Sequence, residues 1–133
     1  MALLARNADA SVDASTAMFA EQVSGLVAGE AIGATDACYI KAADGMVYKS
    51  NGTAANAAAK VDGFAAQAAA AGQGVTIFGR GLRMGYGTGL TIGALYYLAA
   101  TAGRLDTAAT TGGTVAIAKA ITATDIRIIN IVP

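Results

Sequence analysis

The pattern of apolar and polar positions along this chain is that of short β-strands separated by turns. Apolar residues alternate with polar or small ones over brief runs, and Gly, Asp or Asn interrupts each run. The clearest case is residues 36–41, the Asp44-Gly45 pair and residues 46–50, a spacing that predicts a β-hairpin. The chain is therefore predicted to be mainly β.

The same pattern predicts further short strands along the rest of the chain. They cover residues 21–27, 60–65, 75–78, 82–86, 94–99, 104–107, 114–119 and 125–132. Residues 53–60 are predicted to form an alanine-rich linker or a helical turn. Residues 65–71 are predicted to form one helical turn, because this run is too short for a stable isolated helix. Short strands at this spacing favour a small β-barrel or sandwich of antiparallel strands over a parallel α/β sheet.

Residues 1–20 differ from the rest in their mixture of Ala, Ser, Asp and Asn, which has little periodicity. They are interpreted as an extended N-terminal arm, and residues 21–133 as a single β domain. A polar, alanine-rich arm needs a surface to become ordered. That surface is either a neighbouring subunit or the arm's own domain, and the sequence leaves both possibilities open.

Composition adds an argument for self-association. Alanine inflates the hydrophobic fraction of 55%, and Leu, Ile, Val and Phe together supply only 29 of the 133 residues. A core built this way is thin, so packing against further copies or a larger surface would compensate. Nine basic and nine acidic residues cancel. The overall charge thus gives no electrostatic reason to expect nucleic-acid binding.

The sequence offers no catalytic, cofactor-binding or metal-binding arrangement. It contains no histidine, so neither a Ser-His-Asp nor a Cys-His device can be built. Cys38 stands alone and is interpreted as a small buried hydrophobic residue. Most carboxylates fall at predicted turns, where they cap or are solvated. The glycine-rich residues 79–93 lack the spacing of a phosphate-binding loop.

Targeting signals are likewise not predicted. The N-terminus lacks the apolar run of a signal peptide, and no apolar run reaches the length of a membrane span. A soluble protein made in a reducing cytoplasm is expected. The tyrosines are interpreted as core or interface residues, because no basic groove accompanies them. They are Tyr39, Tyr48, Tyr86, Tyr96 and Tyr97.

Four segments in a fixed order carry a resemblance to a known family. They are AGEAI, DACYIKAADGMVYKS, AANAAAKVDGFAAQAAAAGQGVTI and RMGYGTGLTIGALYYL, the last followed by Gly-x-Leu. This order resembles the small capsid cement, or head decoration, proteins of tailed bacteriophages. The likeness covers roughly residues 25–128 and leaves the arm outside it.

The resemblance implies a small β-barrel without catalytic residues that binds the outside of the phage head and reinforces it. The expected partners are the phage major capsid protein and further copies of the chain, as a homotrimer or a dimer. Neither nucleic acid nor membrane is expected as a partner. The protein would be made in the host cytoplasm and end on the outer surface of the virion.

Five apolar residues are predicted to contact the shell or a neighbouring subunit. Leu3, Leu4 and Phe19 are the anchors expected in the arm. Ile129 and Ile131 are expected on the second face of the last strand, opposite Ile126 and Ile128, so that the strand is buried on both sides.

The alternative function is a tail-fibre or baseplate module that binds a host surface glycan or protein through its tyrosines. Such a module would bind the host cell, whereas a capsid cement protein would bind the phage shell. An enzymatic role is not expected.

Overall fold

A computed structural model describes residues 3–133, and over this range the chain forms two antiparallel β-sheets. The strands are β1 (Ser11–Val12), β2 (Gln22–Val27), β3 (Ala37–Ile40), β4 (Val47–Lys49), β5 (Gly63–Ala65), β6 (Gly74–Phe78), β7 (Arg83–Gly85), β8 (Leu95–Leu98), β9 (Leu105–Asp106), β10 (Ala118–Ala120) and β11 (Asp125–Ile128). One sheet has the order β1-β7-β11-β10-β8-β9, and the other β2-β6-β5-β3-β4. The prediction of a mainly β chain of short antiparallel strands is confirmed.

The five-stranded sheet curls until its two outer strands meet. Ala28, just after β2, forms a parallel bridge with Val47 of β4. The amide of Gly29 donates a hydrogen bond to the Val47 carbonyl over 2.9 Å. This bridge satisfies backbone hydrogen-bonding groups at one end of the two outer strands, which would otherwise be open edges of the sheet. The sheet is thus a curled half-barrel, in agreement with the predicted barrel or sandwich.

The hairpin predicted around Asp44-Gly45 is present. Strands β3 and β4 pair with Tyr39 opposite Tyr48. Gly45 has a φ of 71°, a conformation that glycine adopts without steric cost. The Asp44 carboxylate accepts a hydrogen bond from the Met46 amide over 2.9 Å. The local turn chemistry therefore fixes this hairpin, as the sequence indicated.

Two apolar clusters form the core, and strands β3 and β5 lie between them. Cys38 and Ala65 face the cluster inside the five-stranded sheet, whereas Ala37 and Phe64 face the cluster under the six-stranded sheet. All four residues are fully buried. Successive residues of a strand point to opposite faces, so these two strands contribute to both clusters. They join the two sheets into one packed unit.

The N-terminal segment packs on its own domain. Leu3 bridges to Asp106 beside β9, and β1 pairs with β7 at the opposite edge of the six-stranded sheet. Between these points, the Asn7 amide donates a hydrogen bond to the Tyr86 carbonyl over 2.7 Å. Of the two surfaces considered for the arm, residues 3–20 use that of their own chain.

The helical predictions are only partly met. A 3₁₀ turn at Ala57–Ala59 fits the helical alternative for residues 53–60. Residues 65–71 contain no helix, because Ala69 and Ile32 exchange two backbone hydrogen bonds of 2.8 and 2.9 Å. An unpredicted helical turn, α1 (Ala14–Ala17), begins at Asp13, whose side chain accepts a hydrogen bond from the Ser15 amide. No helix in residues 3–133 is long and apolar enough to cross a membrane.

Candidate binding surfaces

The three residues predicted as anchors in the arm lie in different environments. Leu4 is buried in the core beneath the six-stranded sheet, where its amide donates a hydrogen bond to the Leu105 carbonyl over 2.8 Å. It is therefore a core residue of its own chain and presents little surface to a partner. Leu3 remains exposed beside β9, and Phe19 is 88% exposed.

The exposure of Phe19 has a structural cause. α1 ends at Ala17, and the small side chains of Ala17 and Ala20 are buried in the apolar cluster beneath the six-stranded sheet. The backbone between them stays in a turn, with amides of Phe19 and Ala20 both donating to the Thr16 carbonyl over 3.0 Å. Met18 is 73% exposed. The turn thus holds two large apolar side chains in solvent on an anchored backbone, and we call Met18 and Phe19 the apolar knob.

The two predicted residues at the C-terminus are also separated. β11 ends at Ile128, so the expectation of a strand that continues to residue 132 is wrong. Ile129 is exposed, while its amide donates to the Ile117 carbonyl over 3.0 Å. Ile131 is half-buried and lines a cleft of about 220 Å³ together with Val23 and Asp62. The structure therefore does not bring the five predicted residues together on one surface.

An ion pair lies beside this cleft. Arg80 contacts Glu21 through two hydrogen bonds, from Nε to Oε1 over 2.8 Å and from Nη2 to Oε2 over 3.0 Å. The hydrogen bond from Arg80 lowers the pKa of Glu21 below its ordinary value. Both side chains are about half exposed. Such a pair orients two charges at the surface but contributes little to folding stability.

A row of cationic side chains crosses the solvent face of the six-stranded sheet. Lys119 pairs with Arg127 across β10 and β11, and Arg127 pairs with Arg83 across β11 and β7. Leu95 of β8 lies opposite Lys119 and extends the row by one strand. Directly paired residues place their side chains on the same face. We call Lys119, Arg127 and Arg83 the cationic row.

Only one end of the cationic row is neutralised by a described residue. Arg83 Nε donates to Asp125 Oδ2 over 2.7 Å. This hydrogen bond from Arg83, with a smaller one from Thr124, lowers the pKa of Asp125. Lys119 and Arg127 are exposed and form no ion pair with any residue in the range 3–133. Sequence reasoning missed this row because Arg83 is distant in the chain from the other two residues and joins them only through the pairing of β7 with β11.

The lowered pKa of Asp125 predicts a measurable effect on acid stability. A carboxyl whose pKa is lower in the folded than in the unfolded state stabilises the fold above its unfolded pKa. That contribution disappears as the pH falls through the folded pKa. As the pH falls from about 5 to about 2, the melting temperature of Asp125→Asn should therefore fall less steeply than that of wild type. Arg83→Gln should flatten the profile in the same way, and parallel profiles for all three proteins would contradict the assignment.

Two tyrosines lie side by side on the β3–β4 hairpin. The ring centroids of Tyr39 and Tyr48 are 6.2 Å apart. The Lys41 ammonium lies 4.9 Å from the Tyr48 ring centroid, and the Tyr48 hydroxyl donates to the Asp44 carboxylate over 2.7 Å. That hydrogen bond raises the pKa of Tyr48. The pair is half-buried and forms a small amphipathic surface patch.

A buried polar cluster fixes the N-terminal segment. Arg6 Nη1 contacts Asp36 Oδ1 at 2.6 Å, and the second Asp36 oxygen accepts the Gly33 amide over 2.7 Å. The Arg6 guanidinium lies 6.0 Å from the centre of the Tyr86 ring. The Arg104 side chain donates to a backbone carbonyl of the same segment over 2.9 Å. Because these contacts hold the N-terminal segment against the rest of the chain, we interpret the cluster as a structural feature that stabilises the fold.

Cys38 agrees with its interpretation as a buried hydrophobic residue. Its side chain is fully buried, and Sγ lies 3.3 Å from the Asp36 carbonyl oxygen. Burial, and secondarily the nearby Asp36 charge, raises the thiol pKa. A thiol that stays protonated and inaccessible is a poor nucleophile.

The comparisons with known proteins identify no relative. The sequence matches no protein-family model, and neither the curated proteins nor the solved structures contain a match.

Proposed function

We propose that this protein is a structural virion protein, a capsid cement or decoration protein that binds the outer surface of a phage head. The observation that carries the proposal is the apolar knob, Met18 and Phe19, held in solvent by an anchored turn. Large apolar side chains exposed on a folded surface are typical of protein–protein contacts. The likeness of residues 25–128 to decoration proteins supplies the identity of the partner, the major capsid protein.

The mechanism is linkage between binding and shell stability. A protein that binds the assembled shell and not its separated subunits stabilises the shell by mass action. Full burial of a side chain such as Met or Phe contributes roughly 1.5–3 kcal/mol, so one knob gives a modest contact. Copies joined as a trimer or dimer would place several knobs on one lattice, and avidity would multiply their effect.

The test uses phage shells that lack the decoration protein. Purified protein is mixed with mature shells, the shells are pelleted, and both retention and shell melting temperature are measured. Saturable binding in a fixed ratio and a higher melting temperature are expected. Met18→Ser combined with Phe19→Ser should reduce retention about tenfold or more, because each change removes apolar burial of more than 1 kcal/mol.

A control variant separates the knob from general surface hydrophobicity. Ile92 is 69% exposed in the turn before β8. Ile92→Ser should leave retention at the wild-type level. Equal retention of the knob variant and wild type would overturn the role of the knob, and failure of wild type to bind shells would overturn the cement function.

The tyrosine pair favours a second candidate, a tail-fibre or baseplate module that binds a host surface glycan or protein. Tyr39 and Tyr48 offer aromatic surface beside the charged groups of Lys41 and Asp44. Adhesion of labelled protein to host cells, lost in Tyr39→Ala but kept in the knob variant, would support this module over the cement function.

A further inference from the structure

We propose that the cationic row on the six-stranded sheet binds a carboxylate-bearing surface of a partner protein. The inference rests on the proposed function, in which that partner is the assembled shell, and it adds the chemistry of the contact. Lys119, Arg127 and Arg83 form the row, and none of them belongs to the apolar knob.

The cross-strand register is the first argument. Lys119 lies directly opposite Arg127, and Arg127 directly opposite Arg83. Like charges in directly opposed positions destabilise a sheet. Neighbouring strands are about 4.8 Å apart, so the row brings the backbones of three cationic residues within about 10 Å of one another. The opposed Lys119 and Arg127 side chains repel each other in the isolated fold, whereas an anionic partner would convert this repulsion into attraction.

The distribution of counter-charge is the second argument. Asp125 pairs with Arg83 at 2.7 Å, so that end of the row already has a carboxylate. Lys119 and Arg127 are exposed and have no ion-pair partner in the described part of the chain. Two cations with unused hydrogen-bond donors are therefore available to external carboxylates. Arginine in particular can bind a carboxylate through two parallel hydrogen bonds.

The surroundings of the row favour a protein partner over a nucleic acid. Exposed Leu95 lies beside Lys119, and exposed Ile129 lies two residues beyond Arg127. Apolar side chains next to complementary charges are typical of protein–protein interfaces. A polyphosphate would instead meet the Asp125 carboxylate at Arg83, and the chain as a whole has no net charge to attract it.

The experiment compares two variants with the same net charge. Lys119→Gln with Arg127→Gln neutralises the row, and Lys60→Glu reverses one exposed lysine elsewhere. Retention on shells is measured from low to high salt, and Lys119→Glu with Arg127→Glu serves as a stronger variant. Because the replaced side chains are exposed, melting temperatures close to wild type are expected for all three proteins. In addition, binding of each protein to poly-L-glutamate and to duplex DNA is measured without shells.

The expected result is a loss of shell retention of about tenfold in the row variants, with a weaker salt dependence, while the Lys60 variant behaves as wild type. Wild type should bind poly-L-glutamate more tightly than duplex DNA, and the row variants should lose this binding.

Equal shell retention of row variants and wild type would overturn the inference and leave the cement function intact. If wild type binds no shells, the cement function fails, and the poly-L-glutamate comparison alone decides the inference. Tighter binding to DNA than to poly-L-glutamate would overturn it in favour of a nucleic-acid surface.

Discussion

Phe64→Ala is expected to lower the free energy of unfolding by about 4 kcal/mol, a typical cost of removing a large aromatic side chain from a core. Phe64 lies in β5 of the five-stranded sheet and is fully buried. Its ring nevertheless belongs to the apolar cluster beneath the six-stranded sheet. Removing the ring leaves a cavity in this cluster, and close-packed neighbouring side chains relax only partly to fill it.

Chemical denaturation followed by far-UV circular dichroism measures this effect. Phe64→Leu is the matched control, because it keeps a large apolar side chain, leaves a smaller cavity and should cost less than Phe64→Ala. Because the two sheets share one packed core, both should unfold in a single transition in wild type and in Phe64→Leu. A Phe64→Ala protein as stable as Phe64→Leu would show that the contact between the sheets does not depend on this ring.

Arg6→Ala is expected to destabilise the protein by about 3 kcal/mol, because it leaves a buried carboxylate without its cation. The Asp36 side chain is only 6% exposed, and Arg6 Nη1 contacts its Oδ1 at 2.6 Å. The same change removes the side chain that ties the N-terminal segment to β3. Faster proteolysis of residues 3–12 should therefore accompany the loss of stability.

Arg80→Ala provides the matched control for this prediction. Arg80 also pairs with a carboxylate, that of Glu21, but both side chains are 51% exposed. An exposed pair contributes at most about 1 kcal/mol, so Arg80→Ala should change the unfolding midpoint little. Adding Asp36→Asn to Arg6→Ala should recover part of the lost stability, because it removes the buried charge. Equal effects of Arg6→Ala and Arg80→Ala would show that burial of Asp36 does not govern the cost.

The local features of the fold followed from the sequence. Residues 36–50 were predicted to form a hairpin, and they do, because the apolar alternation and the Asp44-Gly45 turn act between residues close in the chain. The helical turn predicted at residues 65–71 is absent for a tertiary reason. Ala69 finds its hydrogen-bond partner in Ile32, and a local propensity cannot foresee a partner that distant.

The candidate surfaces divide in the same way. Phe19 could be chosen from the sequence as an apolar residue in a polar segment, and its exposure agrees with that choice. Leu4 belongs to the same segment, but it is a core residue because the segment packs on the six-stranded sheet, where Leu4 meets Leu105 of β9. Nothing in the first 20 residues specifies that path, which depends on the positions of β7 and β9.

By itself, therefore, the sequence determined the class of fold, the hairpin and the scarcity of catalytic side chains, since composition and short-range periodicity are local properties. Only the tertiary structure decided which apolar residues remain exposed and which charges become neighbours. Arg83, Lys119 and Arg127 form a row because the sheet order β7-β11-β10 aligns them. The short turn at residues 121–124 can set the register between β10 and β11, but the pairing of β11 with β7, which is distant in the chain, depends on the arrangement of the whole sheet.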